Sequence, residues 1–461
     1  MNQISNFVTD HRSKPWTAIP IVPALCWLAL WGSINTSPWD ISFDTIESKW
    51  TGAFNGIRAG FPLVVLVIWV LHLLGRRTTR VRRPTTPEML WFFYAAVCLI
   101  ATVGVGDWFS WAYWGLAFLS TLACVEMFLA ESEQDLEGAA SLNQLSWVIA
   151  TVILVLVVKA AGGHLVEQTS VGLSGYAVNV KMPEVAGMAM VRSTGISRFA
   201  GAIGLVAFVA VWHSRSWPRL VMLAIFAFCC WLVWVMQARG ATVSFVGAIG
   251  VMLVLLGGRA RTVGIIAIAG ALAAVGLGYI SHDSVVHVWR YASRDDHHLA
   301  QMHGRLGIYN SVWRAFWDSP LIGYGPQADR RVTFINAQNG FLYALLCGGF
   351  IGGGAWIAGF ALTFVYMARA IMEPSRIPTR DSDVFIQVAG LMVFFALRTI
   401  PENTAALFSV DLMLQLPAMV YLGELMRTTR QPVGHERTYL FAVPRTVPNV
   451  PHVVRSRFIA G

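Results

Sequence analysis

Apolar runs long enough to cross a bilayer alternate with short basic connections along most of this chain. A bilayer core takes about 20 apolar residues per helix, with a range of about 17–25. Runs of this kind fall at roughly 17–34, 57–75, 89–106, 108–130, 145–161, 199–213, 218–236, 241–257, 263–280, 340–368, 384–400 and 407–425. The fifth, sixth and eighth are short, and the tenth is long enough to tilt or to extend beyond the membrane. The pattern predicts an all-α, polytopic integral membrane protein with about 12 transmembrane helices. No clear small-residue cleavage site follows the first run, which reads as a signal anchor.

Composition agrees. Of 461 residues, 56% are hydrophobic and only 13% charged, where a soluble domain is about a quarter charged. The 19 tryptophans suit a chain with many membrane–water boundaries, where indole rings concentrate. Cys26, Cys98, Cys124, Cys229, Cys230 and Cys347 lie in apolar stretches without metal-ligand spacing, so packing is their expected role and no metal or other cofactor is expected.

Charge sets an orientation. With the N-terminus inside, Arg12 and Lys14, the arginines at 76–83, Arg215 and Arg219, Arg259 and Arg261, and Arg369, Arg376 and Arg380 all fall on the cytoplasmic side. Short loops are where the positive-inside rule is counted, and they agree. The net charge of +9 is thereby largely topological, and a nucleic-acid partner, which would need a basic soluble face, is not expected.

Residues 1–426 read as one transmembrane domain and 427–461 as a disordered cytoplasmic tail, whose arginines suit membrane lipid. Residues 131–144 read as an acidic inner linker. Two long segments face outward, roughly 162–198 and 281–339, the second a large periplasmic loop between helices 9 and 10.

That second loop concentrates the polar chemistry. It holds Arg290, Arg294, Arg305, Arg314, Arg330 and Arg331, and His282, His287, His297, His298 and His303. Within it, Ile308, Tyr309, Val312, Trp313, Phe316 and Trp317 recur at three- and four-residue spacing and predict an amphipathic helix lying along the membrane surface. Asp318-Ser319-Pro320 ends it, and Gly323, Gly325 and Pro326 enforce a turn. Arg305 and Arg314 are nine positions apart, and at about 100° per residue they point to nearly opposite sides. Beyond the turn, Gly348, Gly349, Gly352, Gly353 and Gly354 give overlapping GxxxG spacings, expected to serve close helix packing, with a hinge or substrate passage as the alternative.

Ionisable residues near membrane level are costly and are functional candidates. Arg239 is expected where the seventh helix emerges, Arg192 and Arg198 precede the sixth, and Arg398 and Glu402 flank the eleventh, where they can also simply pair with each other. A guanidinium fork binds phosphate oxygens bidentately. Several such groups at a lipid interface suit a diphosphate carried on a lipid, the leaving group in glycosyl transfer. The acceptor hydroxyl then needs a base, for which His303 and Glu402 are the candidates.

The stretch GRLGIYNSVWRAFWDSPLIGYGP, followed by NAQNGFLYALLCGGFIGG, resembles the signature region of the O-antigen ligase and polymerase superfamily, bacterial multi-spanning glycosyltransferases. Upstream, QARGA is similar to that superfamily's S-R-G-A-type motif and RSTGISRFA to its R-x-T-G motif, so the resemblance covers roughly 190–405. It implies transfer of an oligosaccharide from undecaprenyl diphosphate at the periplasmic face of the bacterial inner membrane, without a metal. By position, Arg239 and Arg305 would contact the diphosphate or acceptor, with Arg192 helping. Arg198, Arg314, Gln338, Asn339 and Arg398 are the further substrate-binding candidates.

One position departs from the family pattern. Where ligases carry histidine before asparagine, this chain has Gln338-Asn339. A glutamine hydrogen-bonds an acceptor but does not take its proton at neutral pH. With NGFLYALL similar to exopolysaccharide polymerases, this favours polymerisation of lipid-linked repeats over ligation to lipid A-core. A chain-length regulator and a flippase would then be partners. A transporter of lipid-linked sugar is the competing class, and it would show pseudo-repeats and charges deep within several helices; the pattern displays neither. A non-catalytic member is the last alternative.

Overall fold

The computed structural model describes residues 19–34, 46–75, 82–104, 108–161, 179–180, 191–236, 238–257, 260–266, 268–269, 305–378 and 381–428. Its helices are α1 (Ile21–Ser33), α2 (Ile46–Gly75), α3 (Thr86–Ala101), α4 (Trp108–Glu131), α5 (Asp135–Ala161), α6 (Ser193–His213), α7 (Ser216–Val235), α8 (Arg239–Leu256), α9 (Arg305–Asp318), α10 (Ala328–Arg331), α11 (Gly340–Met372), α12 (Ser382–Thr399) and α13 (Val410–Thr428). Strands Asn179–Val180 and Val191–Arg192 pair antiparallel in a single two-residue ladder. Every predicted apolar run coincides with one of these helices except the ninth, near 263–280, which lies largely outside the described residues. Seven of the described helices are long and apolar enough to cross a membrane, against about 12 expected, and α1, α3 and most of α8 are apolar but shorter. The chain is a multi-pass membrane protein.

α13 is the centre of the bundle. Val410 to Met426 are buried without a break, and the helix packs against α5, α12 and α11. A helix that is apolar on all sides belongs inside, and Leu412, Met413, Leu414, Leu416, Met419 and Val420 cover its whole circumference. Its polar residues are confined to its two ends, Asp411 and Gln415 at one and Glu424 at the other.

Around it, α11 packs closely on α3. Trp91 stacks on Trp356 at 5.7 Å and donates its indole N–H to the Trp356 carbonyl at 3.2 Å. The approach depends on missing side chains: a Cβ at Gly352 would lie 2.9 Å from Val97, and one at Gly359 2.8 Å from Trp91. The glycine-rich stretch therefore serves close packing. It does one thing more, because α11 breaks at Gly349, where φ is +63° and ψ −165°.

Three sequence expectations need correction. The acidic linker 131–144 is reduced to Ser132–Gln134, and the rest is the start of α5. Asp135 and Glu137 sit in the first turn of that helix, where carboxylates are favoured by the partial positive charge of exposed amides, and Leu136, Ala139 and Leu142 are buried. Arg82, counted above as a loop charge, is instead sealed from water. It forms ion pairs with Glu88 of α3 at 2.9 Å, Glu126 of α4 and Glu424 of α13 at 2.7 Å. Finally, charges do lie inside the bundle on several helices, here and at the opposite end. Lone acids within apolar stretches (CVEMF, YLGELM) carried that signal, but their partner comes from a distant loop.

A cavity of about 350 Å³ opens beside this cluster, lined by Trp69, Leu73, Met89, Phe92 and Met127 among others. It lies at the Arg82 end of the bundle, away from the polar loops described next.

Candidate functional site

At the other end of the bundle, α9 forms as its periodicity predicts. Val312 and Phe316 are buried on the protein side, while Trp313 and Trp317 are 41% and 53% exposed. Phe316 meets Phe350 of α11 edge-on at 4.9 Å, so the helix is docked on the bundle by aromatic contact. Two exposed indoles on one flank suit a membrane–water boundary.

The turn that follows is bound to the break in α11. Gly323 and Gly325 have φ of +67° and +86°, conformations in which only glycine is unstrained. The amides of Tyr324 and Gly325 donate to the carbonyls of Leu346 and Cys347 at 3.0 and 2.8 Å. In return the amides of Phe350 and Ile351 donate to the carbonyls of Pro320 and Leu321 at 2.7 and 3.1 Å. A broken helix inside a membrane protein must have its freed backbone groups satisfied by protein. The PLIGYG turn does this in both directions.

Beyond the turn, a hydrogen-bonded hub gathers the 336–339 loop and the chain after α12. Asp329, 1% exposed, accepts from the amides of Ala337 and Arg330 and from Asn403 Nδ2 at 3.0, 2.9 and 3.1 Å. Asn403 also donates to Asn336 Oδ1 at 2.9 Å and accepts from the Asn339 amide at 3.0 Å. Asn339 caps α11 by accepting from the Leu342 amide at 2.9 Å and donates to the Ile400 carbonyl at 2.9 Å. Tyr309 of α9 shares its hydroxyl between the carbonyls of Gln338 and Ile400 at 3.2 and 3.1 Å. Between these anchors Gln338 is held at φ +47°, a conformation that costs a non-glycine residue roughly 1–3 kcal/mol and persists only where neighbours enforce it.

Burial pushes the Asp329 carboxyl above the usual aspartate range, and the hydrogen bonds from Ala337, Arg330 and Asn403 work against that rise.

Of the residues singled out from sequence, Gln338, Asn339 and Glu402 come together here. The Glu402 carboxylate is half-buried and makes no hydrogen bond or ion pair among the described residues. Arg398 is 3% exposed and faces Asp411 most strongly, with Arg198 and Glu402 also near. Arg198 donates to Asp411 Oδ2 at 3.1 Å. Arg314 is exposed on α9, apart from this group. Arg239 and Arg305 are the first residues of α8 and α9, and Arg192 lies in the second strand; their side chains lie outside the described residues, as does His303 altogether. Sequence reasoning missed Asp329, Asn403, Asp411 and Gln415. Asn403 stood beside Glu402 and Asp329 beside Arg330 of the polar loop, while Asp411 and Gln415 lay in an apolar run with no such neighbour.

No curated protein matches the chain. Residues 224–357 match the family model described as O-antigen ligase. That segment runs from the middle of α7 through α8, α9 and the PLIGYG turn to the far side of the α11 break, and over these residues the match supports a likeness to the O-antigen ligase and polymerase superfamily.

Proposed function

We propose that this protein polymerises undecaprenyl-diphosphate-linked oligosaccharide repeats into a surface polysaccharide at the periplasmic face of the inner membrane. Glycan transfer in general follows from the family match. The observation that carries the finer reading is the pinned 336–339 loop, in which Gln338 stands where ligases hold a histidine.

In this reading the acceptor hydroxyl oxygen bonds to the anomeric carbon of the donor as the bond from that carbon to the diphosphate oxygen breaks. The electron pair leaves with the diphosphate, and the hydroxyl proton passes to a base. Gln338 accepts no proton, so the base is Glu402, whose carboxylate makes no hydrogen bond among the described residues and adjoins Asn403 of the hub. His303 is the second candidate. Arg239 and Arg305 stabilise the charge growing on the diphosphate. Each begins a helix, so exposed backbone amides add to the same positive end. Arg192, Arg198 and Asn339 complete the substrate contacts.

Ligation to lipid A-core is the second reading, favoured by the description of the matching family. A broken helix and buried charges also occur in transporters, but here the groups freed by the break are taken up by the PLIGYG turn.

The test is Arg305→Ala and Arg239→Ala in the native host. Loss of long-chain polysaccharide with accumulation of the single lipid-linked repeat is expected. Accumulation of long chains still on the carrier would assign the protein to ligation, and normal long chains on the final acceptor in both variants would overturn a catalytic role.

A further inference from the structure

Three charged side chains meet inside the bundle near the ends of three helices, with a buried glutamine one helical turn away. Arg198 lies in the second turn of α6, Arg398 in the last turn of α12, Asp411 in the first turn of α13, and Gln415 one turn further along. Asp411 and Gln415 are 1% and 0% exposed. The Arg198 side chain, at 18%, is the member that reaches the surface.

The carboxylate is what allows this arrangement. Two guanidinium groups packed together in a low-dielectric interior repel, and Asp411 is the counter-ion both of them face. It binds a single Arg198 nitrogen, Nη1, and among the described residues no partner holds Arg198 Nε. Nε is itself enclosed, so one arm of the fork is fixed from inside and Nη2 is the arm left for a ligand. Arg398, stacked on Phe394 at 5.6 Å, is sealed behind it. A free arginine side chain loses rotamer entropy when it is ordered, so tethering one arm lowers the ordering cost of an anion bound by the other.

We propose that Asp411 is a positioning residue: tied to α13 at the bundle centre, it aims Arg198 at the mouth of the candidate site as an anchor for the diphosphate of the lipid-linked donor. This rests on the function proposed above.

The test uses the full chain in lipid nanodiscs and undecaprenyl diphosphate, the carrier without sugar, as the probe. Arg198→Ala and Asp411→Asn are each expected to weaken binding at least tenfold, and Asp411→Glu to restore it to within about threefold. The decisive variant is the exchange Arg198→Asp/Asp411→Arg, which keeps the ion pair but moves the guanidinium onto α13. It is expected to melt near the unaltered protein and still bind at least tenfold more weakly. Carrier binding by the exchange variant equal to the unaltered protein would show that only the ion pair matters and overturn the proposal, as would full binding by folded Asp411→Asn. Should Asp411→Asn fail to fold, the exchange and Asp411→Glu decide. No binding by the unaltered protein overturns the proposed function along with the positioning role, whereas binding that all the Asp411 variants leave unchanged overturns the positioning role alone.

Discussion

The amide of Gly325 donates to the carbonyl of Cys347 at 2.8 Å, joining the turn after the surface helix to the point where α11 breaks. This bond and its three companions make the turn and the break one structural unit. The surface helix α9 is thereby held against the same helix whose first residue follows the Gln338-Asn339 pair.

Alanine at Gly323 or Gly325 is expected to be costly. A Cβ at Gly323 would lie 2.6 Å from the Cys347 carbonyl, and both positions have a positive φ, worth roughly 1–3 kcal/mol of strain before the clash is counted. Thermal melting of the reconstituted protein should fall clearly for either variant and hold for Gly354→Ala, where an added Cβ meets open space. Equal melting in all three would mean that the PLIGYG turn contributes nothing.

Arg82→Ala should be among the most destabilising single changes at the opposite end. Burial works against the Arg82 charge, but Glu88, Glu126 and Glu424 outweigh it and hold the guanidinium firmly protonated. Removing it leaves three enclosed carboxylates facing one another, a loss of about 3–5 kcal/mol. Arg82→Lys should recover only part, because an ammonium lacks the fork that spans the three partners. Melting of the two variants beside the unaltered protein measures both statements.

Asp329 gives a pH dependence with a definite sign. Its carboxyl is raised above its ordinary value of 3.8, chiefly by burial. The folded state therefore binds that proton more tightly than the unfolded state does. Its contribution to stability falls as pH rises from the unfolded value through the folded one. Measured against Asp329→Asn, the unaltered protein should lose part of its melting advantage across that window; an advantage that grew with pH would reverse the assignment. At neutral pH the asparagine variant should still be weaker by roughly 1–3 kcal/mol, since its amide group opposes one of the donors now satisfied.

Glu402→Gln separates chemistry from structure. The carboxylate makes no hydrogen bond among the described residues and faces Arg398 only electrostatically, so the melting temperature should change little, while synthesis of long chains should fall by about 10²-fold or more if it is the base. Asn403→Ala should do the converse first, lowering stability because Asp329, Asn336 and Asn339 all lose a partner. An unchanged rate in Glu402→Gln would pass the role of base to His303.

Much of the scaffold could be read from local pattern. The apolar runs of α2, α4, α6 and α12, the amphipathic α9 and the glycine turn each follow from rules that act over a few residues. These rules are lipid transfer of apolar side chains, the 3.6-residue period and the steric cost of positive φ. The same rules mistook the start of α5 for a linker, because acids near a helix start look like loop until the dipole is considered. They also could not show that Gly349, among five glycines, is the one where α11 breaks.

The candidate site was legible only in part. Gln338, Asn339 and Glu402 were singled out by motif, but what holds them was not. Asn403 meets Asp329 across 74 positions, and Arg198 meets Asp411 across 213. No periodicity links residues so far apart, and a lone aspartate such as Asp411 in an apolar run has no visible partner in its own neighbourhood.

The amino-acid sequence by itself determined that this chain crosses the membrane many times, where its surface helix lies and which glycines must turn, since each is decided by the free energy of a short segment in water or lipid. The tertiary structure alone decided which charges are enclosed and paired. A buried charge is tolerable only when a specific opposite group reaches it, and that depends on which helices the fold brings side by side.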